Sequence, residues 1–135
     1  MALISDLRTG LANNLATISG LRVVPEIPSV PNPPVAIISP SSVEYHKSFH
    51  NGLNTYNFVV TVIVGLMSER SAQNRIDAYC SPTGVSSIKT AIESDRTLAG
   101  SAFDLVVTDM RNYGSTTIGE NTYLAAEFDL AVQAN

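Results

Sequence analysis

His46 and His50 are the only histidines, and with Cys80, the single cysteine, they are the side chains best suited to bind a metal or shuttle a proton. Both histidines fall in Val43 to His50, where Val43, Tyr45 and Phe49 alternate with Glu44, His46, Ser48 and His50 as on a strand. Four residues along a strand span ~13 Å, too far to share one ion; that spacing serves a metal only on a helix. Ser86 and Ser87 lie inside a helical pattern without the G-x-S-x-G elbow of a hydrolase nucleophile. Gly114 to Gly119 has the look of a phosphate loop, but it lacks the G-K-[ST] ending and leads into no helix. Glu93 and Asp95 sit near a helix end, where they are expected to be solvated and offset by Arg96. Tyr45, Tyr56, Tyr113 and Tyr123 could stack on bases, yet stacking surfaces come with basic grooves, and only Lys47 and Arg111 are near them. These residues define no catalytic, cofactor or metal site, and no enzyme activity or cofactor is expected.

Composition narrows the classes further. The chain has 135 residues, 44% of them apolar and 15% charged, with a formal net charge of −4. That length fits one domain with one core, 1–135, and the apolar fraction excludes a disordered chain. Charge is sparse for a monomer's surface, so some surface is expected to meet other subunits. An acidic chain without Lys/Arg clusters is not built to grip nucleic acid through its phosphates. One cysteine allows no internal disulfide and suits a reducing cytoplasm; on its helical pattern Cys80 reads as a small buried apolar residue. Neither a signal peptide nor a membrane span is expected: MALISDLRTG lacks the basic and apolar regions of a leader, and no apolar run reaches the ~20 residues of a span.

The elements that would carry these residues follow from periodicity. Ile4, Leu7, Leu11, Leu15 and Ile18 make one stripe on a helix from about Leu3 to Ser19, weakened by Gly10 and stopped at Gly20. Arg22 to Val24 is a short strand. PEIPSVPNPP, five prolines in ten residues, then forms a stiff polyproline-like arm. It is read as a rigid connection across the domain surface, the alternative being an arm laid on a neighbouring subunit. Val35 to Ile38 is a buried strand ended by Pro40. The strand from Val43 to His50 turns at Asn51-Gly52-Leu53-Asn54 into the longest apolar run, Asn57 to Leu66, giving a long hairpin. Even positions of that run are all apolar and odd ones mixed, as on a central strand with one face fully buried and the other partly covered.

Ala72, Ile76, Tyr79 and Cys80 form the face of one short helix. Ser81-Pro82 reads as the start of a second, carrying Val85, Ile88, Ala91 and Ile92 to about Ser94. Phe103 to Met110 and Tyr123 to Val132 close the domain as strands, the latter with Leu124, Ala126, Phe128, Leu130 and Val132 inward against Glu127 and Asp129 outward. RNYGSTTIGEN between them reads as the tip of a second hairpin. The expected fold is α+β: a mostly antiparallel sheet of about five strands with a long hairpin, covered by an N-terminal helix and two short consecutive helices.

The string SSIKTAIESDRTLAGSAFDLVVTDMRNYGSTTIGENTYLAAEFDLAV, Ser86 to Val132, resembles the tail terminator, or tail-completion, proteins of long-tailed bacteriophages. The likeness rests on the short helix into Asp95-Arg96-Thr97-Leu98-Ala99-Gly100, the strand into Met110-Arg111-Asn112-Tyr113-Gly114 and the final strand opened by Tyr123-Leu124. The upstream order is similar too, with an N-terminal helix, a proline-rich loop into Val35-Ala36-Ile37-Ile38-Ser39-Pro40 and the long hairpin. Ala99-Gly100 departs from the two glycines expected there, which bears on a turn. The resemblance implies a structural virion protein, made in the host cytoplasm and placed at the head-tail junction. It would form a homo-hexameric ring that caps the tail tube, ends its polymerisation and joins the head connector, with DNA passing through the lumen. Another head-tail connector or a tail-tube subunit is the alternative, and beyond it a small ligand-binding or enzymatic domain. Subunit and tube contacts are expected from two projecting elements, the hairpin (Tyr45, Lys47, Phe49, His50, Asn51, Asn54) and the Arg111 to Asn121 loop (Arg111, Tyr113, Ser115, Thr116, Glu120).

Overall fold

The computed structural model of the chain describes residues 4–18, 21–24, 34–45, 54–66, 70–84, 86–98, 100, 102–118 and 120–134, with the backbone alone at 66, 70 and 118. Eight elements follow one another: α1 (Ile4–Leu15), β1 (Arg22–Val24), β2 (Val35–Glu44), β3 (Asn54–Leu66), α2 (Arg70–Cys80), α3 (Ile88–Ile92), β4 (Asp104–Ile118) and β5 (Asn121–Ala134). The strands form one sheet in the order β1-β2-β3-β5-β4, antiparallel except where β1 runs parallel to β2. This is the expected α+β domain, with β3 at its centre.

Alternation along β3 divides the sheet into two unlike faces. Phe58, Val60, Val62 and Val64 are buried together with Leu7, Leu11 and Leu15 of α1, Ala72, Ile76 and Tyr79 of α2, and Ile88 and Ile92 of α3. All three helices therefore pack on the same side. On the opposite side a smaller cluster, Val35, Ile37, Ile63, Tyr123 and Ala125, contains no helix residue. The rest of that side, facing away from the helices, is half-buried and polar at Asn57, Thr61, Glu127 and Asp129.

Gly10 has a positive use in α1. A Cβ there would lie 2.7 Å from Cβ of Leu98, which is 2% exposed and held at φ 51°. The helix accepts the weak propensity of glycine because the Leu98 turn crosses it at backbone distance. Gly10→Ala is accordingly expected to destabilise the protein by about 1 kcal/mol, the overpacking penalty exceeding the ~1 kcal/mol of helix propensity gained. Urea unfolding checks this, and a variant more stable than the parent would refute the close-packing account.

Several boundaries depart from expectation, each for a physical reason. α1 ends at Leu15, four residues before Ser19, and gives way to a turn in which Thr17 Oγ1 donates to Asn14 O. β2 does not stop at Pro40 but continues to Glu44: β1 pairs only with Val35 to Ile37, so Pro40 lies where one side of β2 has no strand neighbour among the described residues, and a bulge between Pro40 and Ser42 absorbs it. Asn54 is not a turn residue but the first residue of β3, since Glu44 already pairs with Thr55. The rest of the expected turn, 51–53, and 46–50 with both histidines lie outside the described residues, as does the proline-rich segment 25–33. The second short helix is capped by Ser87, not Ser81; Ser87 Oγ accepts from Thr90 N and donates to Ser81 O at 2.6 Å, while Ser81 Oγ accepts from Thr83 N in a local turn.

The largest correction concerns RNYGSTTIGEN. It is not a projecting loop: β4 and β5 pair through it as far as Ile118 opposite Asn121. Register shifts between Val107 and Asp109 and between Arg111 and Gly114 take up the extra residues, with Asn112 at φ 55° and Gly114 at φ 154°. Turn-like residues here build bulges in a long edge strand.

Candidate assembly surface

The polar side of the sheet is organised by Arg111. Its Nε lies 2.8 Å from Asp129 Oδ2 and its Nη1 3.4 Å from Glu127 Oε1, while Asn112 Nδ2 donates to the same Glu127 oxygen. The backbone explains the grouping: Arg111 pairs with Glu127 and Asp109 with Asp129, so three acids and one base share a face of two adjacent strands. Asp109 and Asp129 stand directly opposite and repel, and the guanidinium bonded to Asp129 offsets that repulsion. The Asp129 hydrogen bond, then its charge and those of Glu127 and Asp109, raise the Arg111 pKa above the ordinary arginine value. Two shallow grooves flank this group on the sheet surface. One of about 530 Å³ runs over Thr61, Asn112, Ser115 and Glu127; the other, about 340 Å³, runs over Ser41, Asn57, Thr108 and Asp129.

The remaining expected contact residues are dispersed. Tyr113 lies on β4 but turns to the helix side, where its hydroxyl donates to Asp77 Oδ1 at 2.6 Å and accepts from Gln73 Nε2, tying the strand to α2. That Asp77 bond, before any effect of burial, raises the Tyr113 pKa. Ser115 and Thr116 pair with Leu124 and Tyr123 within the β4–β5 ladder. Glu120 is exposed at its turn, Asn54 is half-buried opposite Ala134, and Tyr45 follows β2 with 62% of its surface exposed. Lys47, Phe49, His50 and Asn51 lie outside the described residues. The structure thus brings Arg111 to Glu127 and Asp129, and leaves the other described contact candidates apart.

Residues that local reading missed include Asn112, Asp109 and Thr108, because membership of this face depends on the bulges. Arg96 does offset Glu93 by its charge, but its hydrogen bonds go to Asp104, which its Nε and Nη2 grip at 2.6 and 3.2 Å. Asp95 Oδ1 accepts from Thr97 N and Oγ1 in a local turn. Glu93 accepts from Lys89 Nζ at 2.6 Å and from the Val107 amide at 3.0 Å, joining α3 to β4. Burial opposes its ionised form, but the Lys89 and Val107 hydrogen bonds and the Lys89 and Arg96 charges prevail, holding the carboxyl below the usual range. A lowered folded-state pKa stabilises fully above the unfolded value near ~4.3 and is lost as pH falls through the folded one. Glu93→Gln is therefore expected to be less stable than the parent at pH 6, with the two converging toward pH 3. Urea midpoints at both pH values check it, and an unchanged gap would refute the linkage.

Cys80 is half-buried, and burial first, then the charge of Asp77, pushes its thiol up to about 11, far from the range of a reactive nucleophile. No group of three His, Cys, Asp or Glu among the described residues is placed to hold a metal ion. No helix among them is long and apolar enough to cross a membrane.

The arrangement is a polar face of strands with shallow grooves and, among the described residues, no converging reactive groups. No protein-family model matches the chain, and no curated protein is significantly similar to it.

Proposed function

We propose that this protein is a structural virion component of the tail terminator class. Six copies form a ring on the head-proximal end of a phage tail tube, end its polymerisation and receive the head connector, with DNA passing through the lumen. The observation that carries this reading is the resemblance of Ser86 to Val132 to such proteins. The character of the fold supports it: among the described residues one face of the sheet is left without helices, and its charge on β4 and β5 is acidic around a single arginine. A net acidic wall lets DNA slide past, since among the described residues of β4 and β5 on this face Asp109, Glu127 and Asp129 outnumber the one cation, Arg111, which is already paired with the acids. The role is one of assembly, without catalysis or cofactor, carried out at the head-tail junction after synthesis in the host cytoplasm.

Mass measurement in solution tests the first step, with a species six times the chain's mass expected on concentration or on addition of tail tubes. Monomers under all these conditions would overturn the proposal. Electron microscopy of tails assembled without the protein tests the second: overlong tubes are expected, whereas absent tubes would make it a tube subunit.

A further inference from the structure

Two opposite charges stand at the two ends of the face without helices. Arg22 is exposed on β1, the strand at one end of the sheet. It pairs with Val35 and precedes by two residues Val24, which packs on the cluster of that side, so alternation puts Arg22 on the same face. Asp109 is exposed on β4, the strand at the other end, opposite Asp129 on that face. Among the described residues neither side chain makes a hydrogen bond or an ion pair. Four strand spacings of ~4.8 Å, roughly 19 Å in all, separate their strands, more than twice the ~8 Å over which exposed charges act in physiological salt. Within one copy they cannot meet.

The surroundings of Asp109 suit a contact through side chains. Val106 and Met110 bracket it along the strand and are each 41% exposed. Hydrogen bonding already occupies the neighbouring amides: Leu105 N donates to Asp104 Oδ1 at 2.9 Å and Val107 N to Glu93 Oε2 at 3.0 Å. An incoming partner therefore meets an acid set between two apolar groups and not a row of free amides. At the other end Arg22 is followed by the half-buried Val23 and Val24. The row of Arg22 runs through Val35, Ile63 and Ala125 to Gly114, and Asp129 lies four residues beyond Ala125 on β5, so Asp109 is offset by ~13 Å along the strands. Strands that close into a ring are tilted and staggered, and such an offset between neighbours brings Arg22 beside Asp109.

We propose that Arg22 of one copy pairs with Asp109 of the next, joining the β1 end of one sheet to the β4 end of its neighbour. The contact rests on the ring-forming reading above and gives it a surface. Arg111 is held by Asp129 and Glu127, which leaves Asp109 as the acid of that group able to take an outside cation. Val106 and Met110 exclude water from the pair, so it acts more strongly than an open surface ion pair. Because the two ends differ, the contact is heterologous and repeats in one sense until the ring closes. Joints at the ends of the sheet leave Glu127 and Asp129 on the free face.

Charge reversal tests the contact, with assembly followed by mass in solution as a function of concentration. Arg22→Glu and Asp109→Arg are each expected to raise the concentration needed for assembly at least about tenfold, because like charges then face each other across every joint. An equal mixture of the two variants should assemble as the parent does, since each joint of an alternating ring again carries one charge of each sign. The double variant should do the same. Both sites are exposed, so the urea midpoints should match the parent's; where a reversal unfolds the chain, Arg22→Gln and Asp109→Asn serve instead, and their assembly losses should not add. Single variants that assemble like the parent, or a defect that neither the mixture nor the double variant repairs, would overturn the contact and leave the ring reading standing. A parent that is monomeric at every concentration and in the presence of tail tubes overturns both.

Discussion

Phe58→Ala is expected to destabilise the protein by about 3–5 kcal/mol, a large part of the ~5–15 kcal/mol that holds a domain of this size together. Phe58 is 1% exposed on the central strand, between Pro40 of β2 and Leu130 of β5, and its ring points into the cluster shared with all three helices. Truncation there removes apolar burial and leaves a cavity that a paired strand on each side prevents from collapsing. In urea, where a small domain loses roughly 1–3 kcal/mol per molar denaturant, the midpoint should fall by about 2 M. Val59→Ala is the control: its neighbour faces the polar side, half-buried, and should cost less than about 1.5 kcal/mol. Equal losses at the two positions would contradict the division of the sheet into a helix-covered face and an open one.

Asn14→Leu should cost about 2–4 kcal/mol even though it puts a larger apolar side chain at a buried site. Asn14 is 7% exposed, and its Nδ2 donates to Ile92 O at 2.9 Å and Asp95 O at 3.0 Å. Ile92 O is the last carbonyl of α3, a helix of five residues that cannot satisfy its own last acceptors, and Asp95 O lies in the turn that follows it. Leucine would leave the Ile92 oxygen without its side-chain donor, at about 1–3 kcal/mol; Asp95 O would keep the Leu98 amide at 3.3 Å, and the bulkier apolar side chain adds an overpacking cost of about 1–3 kcal/mol. Thermal or urea unfolding reads the loss, and a variant as stable as the parent would show that the site is held by packing alone. Asn14 joins the N-terminal helix to a segment 78 residues away, so its loss should also loosen the turn that brings Leu98 against Gly10.

Both cases mark where local reading of the chain reached and where it stopped. The stripe Leu7, Leu11, Leu15 and Ile18, the all-apolar even face of β3 and the inward set on β5 were legible, because burial imposes the period of each element directly on residue type. Asn14 was not, since a polar residue within a helical stripe looks alike whether it meets water or a distant carbonyl. Pro40, Asn112 and Gly114 misled for a related reason: they are breakers in isolation, but beside an open edge they are absorbed as bulges and the strand goes on. Of the expected contact residues, Arg111 had a recognisable charge, but its partners Asp129 and Glu127 follow only from the register that the two bulges set.

The amino-acid sequence by itself determined the α+β class, the central strand, the one-sided apolar faces of the helices and an acidic surface poor in reactive groups, because each of these depends on composition or on a period within a single element. The tertiary structure alone decided that all three helices share one side, that Arg111 collects Asp129 and Glu127, and that Glu93 of the α3 end reaches the Val107 amide on the outer side of β4. Those are relations among strands distant in sequence, created by pairing register and bulge position, and no local spacing of residues encodes them.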